Sequence, residues 1–362
     1  MPKNLYFRIP IIALLGLIGA LHGSGQSIAD EKDKHTEGQI ITVSRAELSS
    51  SEAASHDLSF LSQYRIFDSV GRPSSLDLLI DQVRESDVAF LGEIHTDIVA
   101  HYLEALILEL AWDENQSLSL EMFESDVQYV VDEYLAGLIS EEHFIKSARS
   151  WDNYSSDYRA LLEFSKEKGM PVVAANAPRR YVNMVRRSGK ESLSSLSNEA
   201  KQFLPPIPYP EPSLDYENKF RAIMSAHQSM IQQVSSSQEE IDSHDNDTEL
   251  DQVKSEAEQP HGMDEVAFQK MLAAQNLWDA SMAWSIASHL KSNPSNRVIH
   301  VNGSFHTDYS IGIPGHLESY LSNIKMLTVT MVPSFDYPNF SNSMRGLGDF
   351  IIVTDGSLPP SH

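Results

Sequence analysis

The sequence predicts an α/β fold: a mainly parallel sheet of βαβ units flanked by helices, with a helical insertion between the third and fourth of its main strands. Two observations predict it. Short apolar runs alternate with longer stretches of helical periodicity from Val88 onward, which is the signature of βαβ units. At 41% apolar and 22% charged, the 362-residue chain also has the composition of a globular protein with a sizeable core.

The elements follow in order. Tyr64–Phe67, before Gly71-Arg72-Pro73, reads as a short strand entering a turn. Ser75 caps a helix carrying Leu76, Leu79, Ile80 and Val83. Val88–Leu91 is the first of the main strands, and a helix follows from about Asp97 with Ile98, Tyr102, Leu106 and Leu110 on one face. Leu118–Leu120 is the next strand. Asp126–Leu135 reads as a helix, Ser140 caps another, and Ser155 or Ser156 starts a third. Pro171–Ala175 is the third strand, followed by Pro178, where the first turn of a helix tolerates proline. A long helix spans 264–291, with Met271, Trp278, Met282 and Ile286 in line. Val298–Val301 is the fourth strand, with Leu327–Met331 and Phe350–Val353 after it. Strands of this kind, joined through helices, take right-handed crossovers.

The ends and two internal segments depart from this pattern. Lys3 and Arg8 precede a 13-residue apolar run, Ile9–Leu21, which is shorter than the ~20 residues a spanning helix needs. Ser27 and Ala29 fit a signal-peptidase site, so residues 1–29 read as a signal peptide. No second long apolar run occurs, and the mature chain is expected to be exported and soluble, periplasmic or secreted, without a transmembrane span. Residues 30–60 read as a flexible arm and 61–356 as one domain. Residues 204–212 hold five prolines and must be extended. Residues 234–262 hold nine acids and one Lys with few large apolar side chains, and read as a disordered acidic insertion within the domain.

Composition excludes several functions. The chain has no Cys, hence no disulfide, thiolate metal site, Cys nucleophile or lipidated Cys. With 51 acidic against 27 basic residues and a net charge of −24, it lacks the cationic face that nucleic acid requires.

The chemistry collects where strands end. The four main strands run into Gly92-Glu93-Ile94-His95, Glu121-Met122, Asn176-Ala177-Pro178-Arg179 and Asn302-Gly303-Ser304-Phe305-His306. In a parallel sheet these ends share one edge, where such folds bind ligands. The repeated Gly-x-x-His brings Glu93, His95, Glu121 and His306 together as candidate catalytic residues. His95, Glu121 and His306 could ligate a divalent metal, or a Glu could orient a His in a metal-free acid–base set. The bland alternative is that these groups cap helices and bond one another. His101, six residues past His95, either overlooks the crevice or sits at the surface. Gln275 and Asp279, four apart in an apolar stripe, read first as a buried polar pair. Trp151, Tyr154 and Tyr158 read as packing or as an aromatic pocket wall.

VAFLGEIHTD, LSLEMFESDVQ, the run from YLAGLIS through SARSWDNYSSDYRALLEFSKEKGMPVVAANAPRR, AQNLWDASMAW and VIHVNGSFHTDYSIGIPGHL resemble the ChaN-like haem-binding proteins. That group shares a superfamily with the Tiki metalloproteases and the erythromycin-esterase-like hydrolases. The similarity covers about residues 75–335. It implies an exported, iron-regulated protein that handles haem, with haem stacked between subunits and therefore a homodimer. It also implies that Glu93, His95, Glu121 and His306 form the superfamily's site. Many relatives carry a lipidated Cys after the signal, which this chain lacks. On this reading the haem iron takes His95, His306 or a Tyr among Tyr154, Tyr158, Tyr181 and Tyr309, and Arg179 or Arg180 meets a propionate. The superfamily's alternative is a metal- or His-dependent hydrolase, and a binding module with a relic site is the third reading.

Overall fold

The computed structural model describes residues 62–226 and 264–362. The expected signal peptide (1–29), arm (30–60) and acidic insertion (234–262) lie outside the described residues. The strands are β1 (Tyr64–Asp68), β2 (Val88–Glu93), β3 (Gln116–Glu124), β4 (Val172–Asn176), β5 (Arg297–Gly303), β6 (Met326–Ser334) and β7 (Phe350–Asp355). The helices are α1 (Leu76–Glu85), α2 (Ile98–Ala111), α3 (Gln128–Leu135), α4 (Glu141–Ser147), α5 (Arg159–Lys168), α6 (Arg179–Ser188), α7 (Asn198–Lys201), α8 (214–226), α9 (Glu265–Ser292) and α10 (Ile313–Tyr320).

The strands form one seven-stranded sheet in the order β1-β7-β6-β2-β5-β3-β4. All neighbours are parallel except β1, which pairs antiparallel with β7. The expectation of a mainly parallel α/β sheet holds. The central strands are buried on both faces, which is why they read as continuous apolar runs. Successive residues of β2 serve opposite layers. Ala89 and Leu91 pack with α1, α2 and α5, whereas Val88 and Phe90 pack with α9 and α10 through Met282, Ile286, Ile313 and Leu317.

Local chemistry sets the helix starts. Ser75 accepts from Leu78 N, Asp97 from Val99 N and Ala100 N, and Ser140 from His143 N, each satisfying an amide that the helix leaves free. Two helix starts differ from the sequence expectation. The turn at Ser125–Val127 is 3₁₀, so α3 begins at Gln128. Tyr154–Tyr158 forms a π-helical turn ahead of α5, a local widening that recurs at functional sites.

The topology then builds the site. β5 lies between β2 and β3, although some 170 residues separate it from β3 in sequence. The carboxyl ends of β2, β5 and β3 are therefore adjacent, with Glu93 opposite Gly303 in register. β3 loses register with β4 between Leu120 and Glu124, an irregularity of the kind that re-aims side chains. Glu121 sits inside it.

Candidate functional site

Glu93, His95, Glu121 and His306 converge at this edge. His95 Nδ1 lies 2.9 Å from Glu93 Oε1, and the Tyr158 hydroxyl donates to the same oxygen at 2.8 Å. A Cβ on Gly303 would fall 2.9 Å from His95 Nε2 and 3.7 Å from Glu121 Oε2. The His95 ring thus lies across the end of β5, beside Glu121. Glu121 Oε2 accepts from the Gly303 amide at 2.7 Å, and its Oε1 faces His306 Nε2 at 3.5 Å. His306 Nδ1 is held by Asp279 Oδ1 at 2.5 Å.

The arrangement has an approximate symmetry. Each imidazole is gripped at Nδ1 by a buried carboxylate and feels Glu121, His306 through Nε2 at 3.5 Å and His95 beside Gly303. Each also meets an indole edge-on: Trp151 stands 5.0 Å from His95 and Trp278 6.4 Å from His306. The two Gly-x-x-His motifs accommodate one another. Gly303 makes room for His95, and a Cβ on Gly92 would meet Ser304 Cα and Thr307 Oγ1, each at 3.0 Å.

Burial by itself would depress both imidazoles. Glu93 and Glu121 outweigh it at His95, and Glu121 and Asp279 at His306, so both titrate above the usual 6.5. Burial would likewise raise Glu93, but His101 and then His95 hold its carboxyl below the ordinary range. The set can move a proton, hold an anion between two imidazolium rings, or ligate a metal through Nε2.

The expected metal ligands His95, Glu121 and His306 share the crevice. Beside them, the ligand atoms of Glu93, His101 and Glu104 all lie within 4.8 Å of one another.

Other expected residues fall elsewhere. Arg179 and Arg180 are exposed at the start of α6; Arg180 pairs with Asp126 and lies over the Tyr181 ring. Tyr309 sits in left-handed backbone (φ 65°) and packs in the cluster of Val332, Met344 and Leu347. Burial and Asp308 push its phenol up to about 12. Tyr154 and Tyr158 are core residues, and Tyr181 is buried in the cluster between α6 and α9.

Three contributors were not assigned from the sequence. Asp279, which the sequence pattern pairs with Gln275, bonds His306 Nδ1. Lys219 of α8 donates to Phe305 O (2.5 Å) and Asp308 O (3.2 Å), clamping the turn that carries His306. Asp157 faces His101 Nε2 at 3.3 Å. The signal that could have found them is one polar residue inside an otherwise apolar helical stripe.

No curated protein matches the sequence at a significant level. Among solved structures the chain is similar to one described as cofacial heme binding to ChaN of Campylobacter jejuni. The two are 17% identical with a TM-score of 0.57, over 81% of this chain and 98% of that one. It also aligns with an erythromycin esterase variant in its open conformation (11% identity, TM-score 0.39, 81% and 83% covered). A succinoglycan biosynthesis protein aligns at 11% identity and TM-score 0.41, with 86% and 99% covered. The first likeness shows the fold. A family model described as haem-binding uptake, Tiki superfamily, ChaN matches residues 79–317. With that model spanning well over half of its length, the chain belongs to the ChaN haem-binding uptake family of the Tiki superfamily.

Proposed function

We propose that this protein binds haem at the strand-end crevice, with the His95 imidazole facing the iron, and serves haem or iron acquisition. Family membership supports the ligand. The observation that carries the site is the graded exposure of its imidazoles. The His95 side chain is 16% exposed, against 4% for His306 and 5% for His101. A haem needs an accessible axial donor, an apolar wall and cations for its propionates. His95 is the accessible donor, and Glu93 fixes its ring. Trp151 supplies an apolar wall, and Arg179, exposed at the end of the strand edge, supplies a cation. These residues fit the group. Bound there, haem supplies a redox-active iron. The chain's own part is to fix the His95 ring by gripping Nδ1 with Glu93, and to pack its flank with Trp151. Tyr309 is the poorer donor, because its raised pKa opposes the phenolate that iron would bind.

Export through the N-terminal signal and pairing of two chains complete this proposal. N-terminal sequencing of secreted protein and sedimentation with and without hemin test them. The main test is a hemin titration: a Soret shift saturating in wild type and weakened at least tenfold in His95→Ala supports the reading, and equal titrations refute it.

A second reading, a hydrolase, is favoured by one observation: both imidazoles are braced at Nδ1 by carboxylates, as in acid–base and metal-dependent enzymes. Glu121, His95 and His306 would then carry a proton or a metal-bound water. Chelator-sensitive ester or peptide turnover without a Soret shift would establish it over haem binding.

A further inference from the structure

We infer that Glu93, His101 and Glu104 form a binding site for one small divalent transition-metal ion, buried behind His95 and joined to the crevice through Glu93. This goes beyond the haem proposal and does not depend on it.

Two neighbouring elements build the site. α2 places His101 and Glu104 three residues apart on its inward face, and the end of β2 places Glu93 against them. The three donor atoms all lie within 4.8 Å of one another. His101 Nδ1 is 2.9 Å from Glu93 Oε2 and 3.4 Å from Glu104 Oε2. Four donors around a zinc-like ion at ~2.0–2.1 Å sit roughly 3.3 Å apart, so these separations bracket the coordinating value.

A second observation points to a ligand rather than to self-contained pairing. Both glutamate side chains are fully buried. Glu93 Oε2 is met by His101 Nδ1, but Glu104 Oε1 has no hydrogen-bond partner. Buried carboxylate oxygens are ordinarily satisfied, and an unpaired one beside a second buried carboxylate is costly. A divalent cation would satisfy it and offset the paired negative charge.

The surroundings set the tautomer that ligation requires. His101 Nε2 lies 3.1 Å from the His95 carbonyl oxygen and 3.3 Å from Asp157 Oδ2. Both are acceptors that keep a hydrogen on Nε2, so a metal ion between Glu93 and Glu104 would take the place of the proton on Nδ1, which is released. Asp157 is itself held by Asn153 Nδ2 at 2.8 Å and Ser361 Oγ at 2.9 Å. A carboxylate backing the far nitrogen of a ligating imidazole is the usual outer partner of such sites. One nitrogen and two carboxylates, with no sulfur, suit zinc, iron(II) or manganese rather than a soft ion. Glu93 would bridge, with Oε1 on His95 and Oε2 on the ion.

The test is zinc binding by the full chain after chelator treatment, with metal analysis and calorimetry. Wild type should take up about one zinc per chain. Glu104→Gln, which keeps the shape and removes the charge, should weaken binding at least tenfold. His306→Ala, which disables the crevice set, should leave it intact. No zinc uptake by wild type overturns the inference. So does equal affinity in Glu104→Gln, or loss in His306→Ala with retention in Glu104→Gln. Should Glu104→Gln not fold, ¹⁵N NMR of wild type decides: zinc must shift the His101 Nδ1 resonance, and an unmoved resonance overturns the site.

Discussion

A Cβ on Gly303 would lie 2.9 Å from His95 Nε2. Gly303 has φ −59°, a conformation any residue adopts. The glycine is therefore required for space rather than for backbone freedom. Gly303→Ala should fold, with the thermal midpoint within a few degrees of wild type, but it must displace the His95 ring. Hemin affinity is expected to fall about tenfold, or about 1.4 kcal/mol. Unchanged affinity in a folded Gly303→Ala would separate His95 from haem binding.

Tyr158 donates to Glu93 Oε1 at 2.8 Å from a fully buried position. Tyr158→Phe keeps the packing and removes one donor to a buried carboxylate. Denaturant unfolding should show a loss of about 1–3 kcal/mol. A neutral result would mean that Glu93 relies on His95 and His101 alone.

The imidazoles carry a pH signature. Burial opposes the charged form of His95 and His306, but Glu93 with Glu121, and Glu121 with Asp279, raise both above 6.5. A raised folded pKa means that protonation favours the folded state. That contribution is complete below the unfolded value and is lost as pH rises through the folded one. Glu121→Gln removes the carboxylate the two rings share. NMR titration of chelator-treated protein should show both rings titrating lower in the variant, and less stability lost above neutral pH. A His306 titration that does not move would contradict the shared role of Glu121.

All seven strands were legible because each is a compact apolar or alternating run ended by a turn. The crevice was legible because parallel strands bring their carboxyl ends to one edge, so Glu93, Glu121 and the two Gly-x-x-His motifs had to meet. Strand order was not legible: nothing local shows that β5 inserts between β2 and β3. The supporting shell was equally hidden. Asp279 and Lys219 act across tertiary contacts on His306 or its turn, and a lone polar residue in a helix does not name its partner. His101, left between crevice and surface by its sequence position, is buried against Glu93 and Glu104. Its role depends on how α2 rotates against β2, which a pattern of spacings leaves open.

The central claim is that His95 is the haem-facing donor of this site. Histidine-selective ¹⁵N labelling, with electron–nuclear double resonance on the ferric haem complex, tests it most directly. The account predicts a ¹⁵N coupling from an axial imidazole in wild type that disappears in His95→Ala and persists in Tyr309→Phe. A coupling that survives in His95→Ala, or a wild-type complex with no histidine coupling, would contradict it.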